Sequence, residues 1–246
     1  MGVIIVTGGS RGIGAATARH LGRGRHTVLI NYRQNEAVAD AVVSDIEITG
    51  GRAAALQGDI SREEDVRTLF QEAEQFGPLV GLVNNAGVTG PLSRLEALPA
   101  EAFWHVMEVN VLGSFLCAQE AIKRMSTERG GDGGAIVNVS SRAASLGSPN
   151  EWIHYAASKG AIDSLTIGLA KEVAKDGIRV NAVRPGLIDT DIHAAAGALD
   201  RVSRLAPTIP LQRAGTAEEI AEMIVFLLSD KASYMTGALV DIGGGR

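Results

Sequence analysis

The sequence of 246 residues predicts a doubly wound α/β domain, a three-layer sandwich with a parallel sheet of about seven strands at its centre. Three observations carry that prediction. Short β-branched runs alternate with helical segments along the whole chain, the pattern of parallel strands joined by right-handed crossovers. Several runs are unbroken Val/Ile/Leu stretches, as expected of strands covered on both faces. A glycine-rich turn joins the first strand to the first helix, and glycine overall reaches 30 residues of 246, against a usual share of about 7%.

The elements follow in order. The first strand is Val3 to Thr7, and Gly8-Gly9-Ser10-Arg11-Gly12-Ile13-Gly14 leads from it into the helical Ala15 to Leu21. Further strands are expected at Thr27 to Asn31, Arg52 to Gln57, Leu79 to Asn84, Ala135 to Ser140, Ile178 to Arg184 and Ala238 to Ile242. Ser61-Arg-Glu-Glu64 and Thr216-Ala-Glu-Glu219 both read as capping boxes, a hydroxyl accepting from a free helical N–H while the glutamate reaches back. Val111 to Met125 has helical core character, so its Cys117 is expected to be a buried thiol. Arg129-Gly-Gly-Asp-Gly-Gly134 is followed by a strand and not a helix, and reads as a flexible surface connection instead of a phosphate loop. Residues 189–212 carry Pro207 and Pro210 and read as a substrate lid, with an ordinary surface insertion as the alternative. No composition break marks a second domain, so residues 1–246 are taken as one unit.

Composition narrows the partners. Lys+Arg number 23 against 28 Asp+Glu, a formal charge of −5, which leaves no global basic field for nucleic acid or an anionic membrane. Apolar stretches such as Met223 to Leu228 are far short of the roughly 20 residues of a spanning helix. An apolar run from Val3 leaves no room for a leader, and the single cysteine fits a reducing compartment; a cytoplasmic protein with a small-solute partner is expected. The five histidines, at 20, 26, 105, 154 and 193, have no metal-ligand spacing, so no metal centre is expected. His154 and His193 fall near the rim of the strand-end cleft and could touch a substrate, but are read as exposed and unpartnered.

The chemistry concentrates in four places. In the glycine turn, backbone N–H groups can approach a pyrophosphate at the N-terminus of the following helix. After the second strand, Ile30-Asn31-Tyr32-Arg33 lacks the carboxylate that binds a ribose 2′-hydroxyl, and Arg11 and Arg33 supply cations suited to a 2′-phosphate; NADP is expected, with NAD use also open. Tyr155 and Lys159 are four apart and share one helix face, so the ammonium would stabilise the phenolate and lower the tyrosine pKa from about 10. Ser140 and Ser141 end the fifth strand and point to opposite faces.

Thr7-Gly8 with Gly12 and Gly14, Asn84-Asn85-Ala86-Gly87, Asn110, Ser141, Tyr155-Ala-Ala-Ser-Lys159 and Pro185-Gly186 occur in this order at predicted strand ends. Together they resemble the short-chain dehydrogenase/reductase family, with its Rossmann-type fold, over nearly the whole chain. The resemblance implies an oxidoreductase interconverting a carbonyl and a secondary alcohol by hydride transfer. Tyr155 would be the general acid/base, Ser141 would orient the substrate oxygen, Lys159 would also hold the nicotinamide ribose, and the Asn110 carbonyl would hold a water. Asp59 matches a residue at the adenine amino group, Asn84 one beneath the adenosine, and Ile188 and Thr190 ones at the carboxamide. Ser10, Ile13, Tyr32, Ile60, Ala86, Gly87, Pro185 and Gly186 complete the implied cofactor contacts.

Within the family the chain is most similar to 3-oxoacyl-carrier-protein reductases and glucose 1-dehydrogenases. Arg201, Arg204 and Arg213 could form a basic patch for an acyl carrier protein, or be scattered surface arginines. Relatives are commonly homotetramers, and Ala156, Ala157, Gly160 and Ala161 would permit close helix packing, either between subunits or on the chain's own sheet. The alternative from another class is a catalytically silent nucleotide-binding sensor or scaffold.

Overall fold

A computed structural model describes residues 2–190 and 197–246. Its sheet has seven parallel strands in the order β3-β2-β1-β4-β5-β6-β7. The strands are β1 (Val3–Val6), β2 (Thr27–Tyr32), β3 (Arg52–Gln57), β4 (Leu79–Asn84), β5 (Gly134–Val139), β6 (Ile178–Pro185) and β7 (Leu239–Ile242). All seven lie within a residue or two of the sequence expectation.

Period-two side-chain alternation splits the core into two layers. Val6, Ile30, Val83, Val137 and Val183 face α1 (Gly12–Gly22), α2 (Glu36–Ile48) and α9 (Ala217–Leu228), where they meet Leu21, Ile46 and Ile224. Val3, Ile5, Leu29, Leu82 and Ile136 face the other way, onto Phe70 of α3 (Glu63–Ala73) and Cys117 of α5 (Gly113–Met125). Full burial of one such side chain contributes about 1.5–3 kcal/mol, so two-sided cover explains the unbroken apolar runs. Cys117 is fully buried, and burial pushes its thiol up to about 12, as a core residue rather than a reactive one.

The remaining α-helices among the described residues are α4 (Ala100–Met107), α6 (Ala143–Leu146), α7 (Ile153–Glu172) and α8 (Arg201–Leu205). A π-helical turn at Glu108–Leu112 separates α4 from α5, two residues into the stretch predicted as continuous helix. A line of buried side chains crosses the layers: Asn84 Nδ2 donates to Asn138 Oδ1 at 3.0 Å, Asn138 Nδ2 to Thr166 Oγ1 on α7 at 2.9 Å, and Asn84 Nδ2 also to the Ser114 carbonyl at 3.2 Å.

Two local expectations change. The Thr216 capping box forms, but the one at Ser61 does not: α3 starts at Glu63, and the Ser61 hydroxyl donates instead to Asp59 Oδ1 at 2.7 Å. The 129–134 segment is a tightly bonded turn and not a flexible connection. Gly131 and Gly133 donate to Ser126 and Met125 carbonyls at 2.9 and 2.8 Å, and a Cβ on Gly131 would stand 2.4 Å from the Arg124 carbonyl. Gly131, Gly133 and Gly134 serve close backbone approach, and Gly130 a left-handed φ of +87°.

Candidate active site

The C-terminal ends of β1, β4, β5 and β6 converge where the strand order reverses, the usual ligand crevice of such sheets. After β1, Gly8 and Gly12 adopt φ of +59° and +53°, open only to glycine without strain. Gly14 serves a different need. A Cβ there would lie 2.4 Å from the Gly8 carbonyl and 2.5 Å from Asn85 Nδ2. The loop is held from β4: Asn85 Nδ2 donates to the Thr7 and Gly8 carbonyls at 2.8 and 3.1 Å, and Thr7 Oγ1 accepts from the backbone N–H of Asn85 and Ala86. Asn85 was within the quoted string but had no role in the sequence reading; its neighbour Asn84 turns inward into the buried line described above.

The start of α1 has no side-chain cap, and the first helical N–H with a partner in the turn belongs to Ala15. Free donors there, with a backbone that a Cβ would obstruct, fit a pyrophosphate. Ser10 and Ile13 are half-buried, and Arg11 is exposed with no hydrogen bond or ion pair among the described residues. Asn31 is buried and braces the loop, accepting from Gly8 N–H at 3.4 Å and donating to the Gly58 carbonyl at 3.0 Å. The Tyr32 ring lies in the core. Arg33 is half-exposed and 3.6 Å from Asp59. Burial alone would raise the Asp59 carboxyl, but hydrogen bonds from Ser61 and the field of Arg33 outweigh it and hold it below the usual carboxylate range. Ile60 is buried against Gly113, where a Cβ would come within 2.6 Å of its Cδ1.

Tyr155 and Lys159 project from α7 toward this crevice. Lys159 is buried, with Nζ donating to the Val139 carbonyl at 2.7 Å and lying 5.6 Å from the Tyr155 ring centroid. Burial lowers its pKa to about 8, opposed by Asp163. For Tyr155, burial raises the pKa, while a hydrogen bond with Ser141 and the charge of Arg201 lower it. Burial outweighs both and holds the phenol above its usual value, against the lowering expected from Lys159, whose Nζ is tied to a carbonyl. The two serines divide as their strand positions require. Ser140 is buried and donates to Asp163 Oδ1 at 2.6 Å, and Ser141 pairs with Tyr155 while accepting from Ala143 N–H at 3.1 Å.

Gly87 lets these groups meet: a Cβ on it would stand 3.2 Å from Asn110 Oδ1 and 3.6 Å from Lys159 Nζ. Asn110 sits in the π turn, its side chain exchanging two bonds with Val88 and donating to Ser158 Oγ, while its carbonyl accepts from Ser114 Oγ at 2.8 Å. Pro185 ends β6, Gly186 packs on Gly243, and Ile188 bridges to Gly215. Thr190 lies 3.6 Å from the position a Gly12 Cβ would take, so the two sides of the crevice face each other there.

The rim differs from expectation. His154 is buried and not exposed, its ring against Gly90, because α7 begins at Ile153 and turns it inward. His193 and the 191–196 part of the predicted lid lie outside the described residues. Trp152 is buried and donates from Nε1 to the Gly90 carbonyl at 3.2 Å. The three arginines of residues 201–213 form no free basic patch. Arg201 and Arg204 pair with Glu151, and Arg213 with Glu219 at 2.6 Å. Among the described residues no group of three or more His, Cys, Asp or Glu is placed to hold a metal, and no helix is long and apolar enough to cross a membrane.

A family model described as enoyl-(acyl carrier protein) reductase matches residues 8–246. The chain is 54% identical to the uncharacterized oxidoreductase YgfF of Escherichia coli, over the whole of both proteins. A solved short-chain dehydrogenase/reductase from Serratia marcescens superposes with a TM-score of 0.91 at 34% identity, covering 99% of this chain and 97% of that one. The chain belongs to the short-chain dehydrogenase/reductase family. As a short-chain dehydrogenase/reductase it is an oxidoreductase of Rossmann-type fold, working with a nicotinamide dinucleotide on a small molecule. The chain is also 37% identical to the 3-oxoacyl-[acyl-carrier-protein] reductase FabG of Staphylococcus aureus, over 98% of this chain and 96% of that one. The model's description and that relative's name are two different reactions, so family membership leaves the substrate open.

Proposed function

We propose that this protein is an NADP(H)-dependent oxidoreductase that interconverts a carbonyl and a secondary alcohol, with Tyr155 as general acid/base. The observation that carries the reading is the meeting of Tyr155, Ser141, Lys159 and Asn110 at one crevice beside an uncapped helix N-terminus. When bound, the nicotinamide supplies or accepts the hydride. The uncapped start of α1 at Gly12 and Gly14 holds the pyrophosphate on backbone N–H groups, and Lys159 reaches the ribose. Ser141 hydrogen-bonds the substrate oxygen, and Tyr155 gives that oxygen its proton in reduction or removes it in oxidation. Orientation and charge placement are the protein's share.

Arg11, exposed and with an unpaired side chain among the described residues, and the absence of an acid at the end of β2 support NADP over NAD. Arg33 favours it less strongly, being already close to Asp59. The pairing of Arg201, Arg204 and Arg213 with carboxylates argues for a free small carbonyl compound over an acyl carrier protein. A homotetramer is supported by exposed Leu112 and Phe115 on one side and Ile167 on α7, and by Gly160 and Gly168, whose missing side chains face open space instead of the chain's own sheet. A single buried cysteine suits a reducing cytoplasm.

The test is Tyr155→Phe, which keeps the ring and removes the proton. Turnover of any accepted carbonyl, followed by the absorbance of NADPH, is expected to fall by about 100-fold or more, the range of general acid/base contributions. Near-normal turnover by the variant would overturn the assignment.

A further inference from the structure

Ser141 is held through both of its chain neighbours, and the two holds meet at one side chain. Ser140 Oγ donates to Asp163 Oδ1 on α7 at 2.6 Å. Arg142 Nη1 donates to Asp241 Oδ2 on β7 at 2.6 Å, and its Nε donates to the Arg246 carbonyl at 2.8 Å. Arg184, near the end of β6, joins these clamps. Its Nη1 lies 3.5 Å from Asp163 Oδ2 and its Nε 2.7 Å from Asp241 Oδ1. The third arm of the fork, Nη2, donates to Ser145 Oγ on α6 at 2.7 Å. The backbone repeats the arrangement: Ser140 N–H donates to the Val183 carbonyl and Arg142 N–H to the Pro185 carbonyl, each at 2.9 Å, with Ser141 and Arg184 bracketed between those bonds. Segments α6, α7, β6 and β7 thus converge on one guanidinium, only 14% exposed, beside the end of β5.

We propose that Arg184 is a positioning residue of the active site: it locks the clamps on Ser140 and Arg142 together and so fixes where the Ser141 hydroxyl stands relative to Tyr155. The inference rests on reading Ser141 as the group that orients the substrate oxygen. Two guanidinium groups, Arg142 and Arg184, face two carboxylates, Asp163 and Asp241, so the cluster supplies position more than net charge. Ion pairs taken out of water gain little stability over apolar packing, because desolvation offsets the attraction; their better attested use is to select one arrangement. The location of this cluster fits that use. It surrounds the turn that carries Ser141, whose Oγ accepts from Ala143 N–H at 3.1 Å at the start of α6, while Arg184 holds the same helix through Ser145. A planar fork that reaches three separate acceptors is what arginine offers and lysine does not.

The experiment is a double-mutant cycle in the full-length protein, with NADPH and ethyl acetoacetate as the probe carbonyl, joined to a crystal structure of Arg184→Met with NADP bound. Arg184→Met is expected to lower kcat by about tenfold or more with KM nearly unchanged, the signature of a misplaced group that acts in the transition state. In a Ser141→Ala background the same change is expected to cost nothing further, because the group it positions is gone. Arg184→Lys keeps the charge and loses the fork, and is expected to recover only part of the lost rate. The crystal structure is expected to show Ser141 Oγ moved out of hydrogen-bond reach of Tyr155. Equal losses in both backgrounds, full recovery by lysine, or an unmoved Ser141 hydroxyl would overturn the proposal. Should Arg184→Met not fold, Asp241→Asn, which weakens the joint between Arg142 and Arg184, decides by the same cycle and the same structure. A displaced Ser141 hydroxyl in Arg184→Met, together with near-normal turnover by Ser141→Ala, would uphold the positioning and remove the reading of Ser141 as the orienting group.

Discussion

Gly14→Ala isolates steric closure of the cofactor loop from backbone strain. An added Cβ would stand 2.4 Å from the Gly8 carbonyl, 2.5 Å from Asn85 Nδ2 and 3.0 Å from Gly9 Cα. Ordinary carbon–oxygen contacts begin near 3.3 Å, so the overlap with the carbonyl is about 0.9 Å. The atoms that must give way are backbone, and Asn85 Nδ2 is already committed to two carbonyls. In an open helix the substitution would stabilise by about 1 kcal/mol, because alanine has the better helix propensity. Here overpacking of about 1–3 kcal/mol opposes that gain and falls on the loop that must receive the pyrophosphate. The expected result is an NADPH dissociation constant raised by about tenfold or more, since 1.4 kcal/mol is one decade. Gly12→Ala is the comparison: among the described residues its Cβ would meet only Thr190, at 3.6 Å, and its φ of +53° carries the left-handed penalty of about 1–2 kcal/mol. Equilibrium titration of NADPH fluorescence, with urea unfolding alongside, reads both terms. A Gly14→Ala protein that binds NADPH and unfolds like wild type would refute the reasoning.

Arg11→Ala is expected to weaken NADPH by roughly tenfold, the worth of one charge-assisted phosphate contact, and to leave NADH unchanged in the same titration; equal losses for both cofactors would place Arg11 elsewhere than at the 2′-phosphate. Burial disfavours the charge of Lys159 and lowers its pKa from the ordinary 10.5 to about 8 in the folded protein. Between those two pH values the unfolded chain binds more protons than the folded one, so the Lys159 contribution to stability rises with pH across that window. Lys159→Met is expected to abolish turnover while raising the unfolding free energy of the cofactor-free protein at neutral pH by about 1–2 kcal/mol, seen as a higher urea midpoint, and to flatten the rise above pH 8. A lowered midpoint would show that the bond to the Val139 carbonyl outweighs the burial cost.

The central strands were legible because each is a largely apolar run covered on both faces; Val3 to Val6 needs no knowledge of its neighbours to read as buried. The site motifs were legible for a similar reason, since glycine spacing and the Tyr155 to Lys159 interval are local. What failed was set by partners distant in sequence. Ser61 has the letters of a cap, but Asp59 competes for its hydroxyl. His154 faces inward because Gly90, far earlier in the chain, leaves a space for its ring. Arg201 was indistinguishable from a surface arginine until Glu151 and Trp152 came beside it. Asn85 and Asn31 brace the glycine loop from neighbouring strands, a duty that no spacing within either strand announces.

The buried line from Asn84 through Asn138 to Thr166 has a consequence for how this enzyme can change over time. Its hydrogen bonds form in one strand register and one rotation of α7, and a slip by a single residue would strand their groups in an apolar interior, where Asn84 Oδ1 already has no partner among the described residues. The azimuth at which α7 presents Tyr155 and Lys159 is thus inherited from the centre of the sheet. Outer segments such as α8 are free to diverge and retune substrate choice, because the alignment of the reacting side chains does not depend on them.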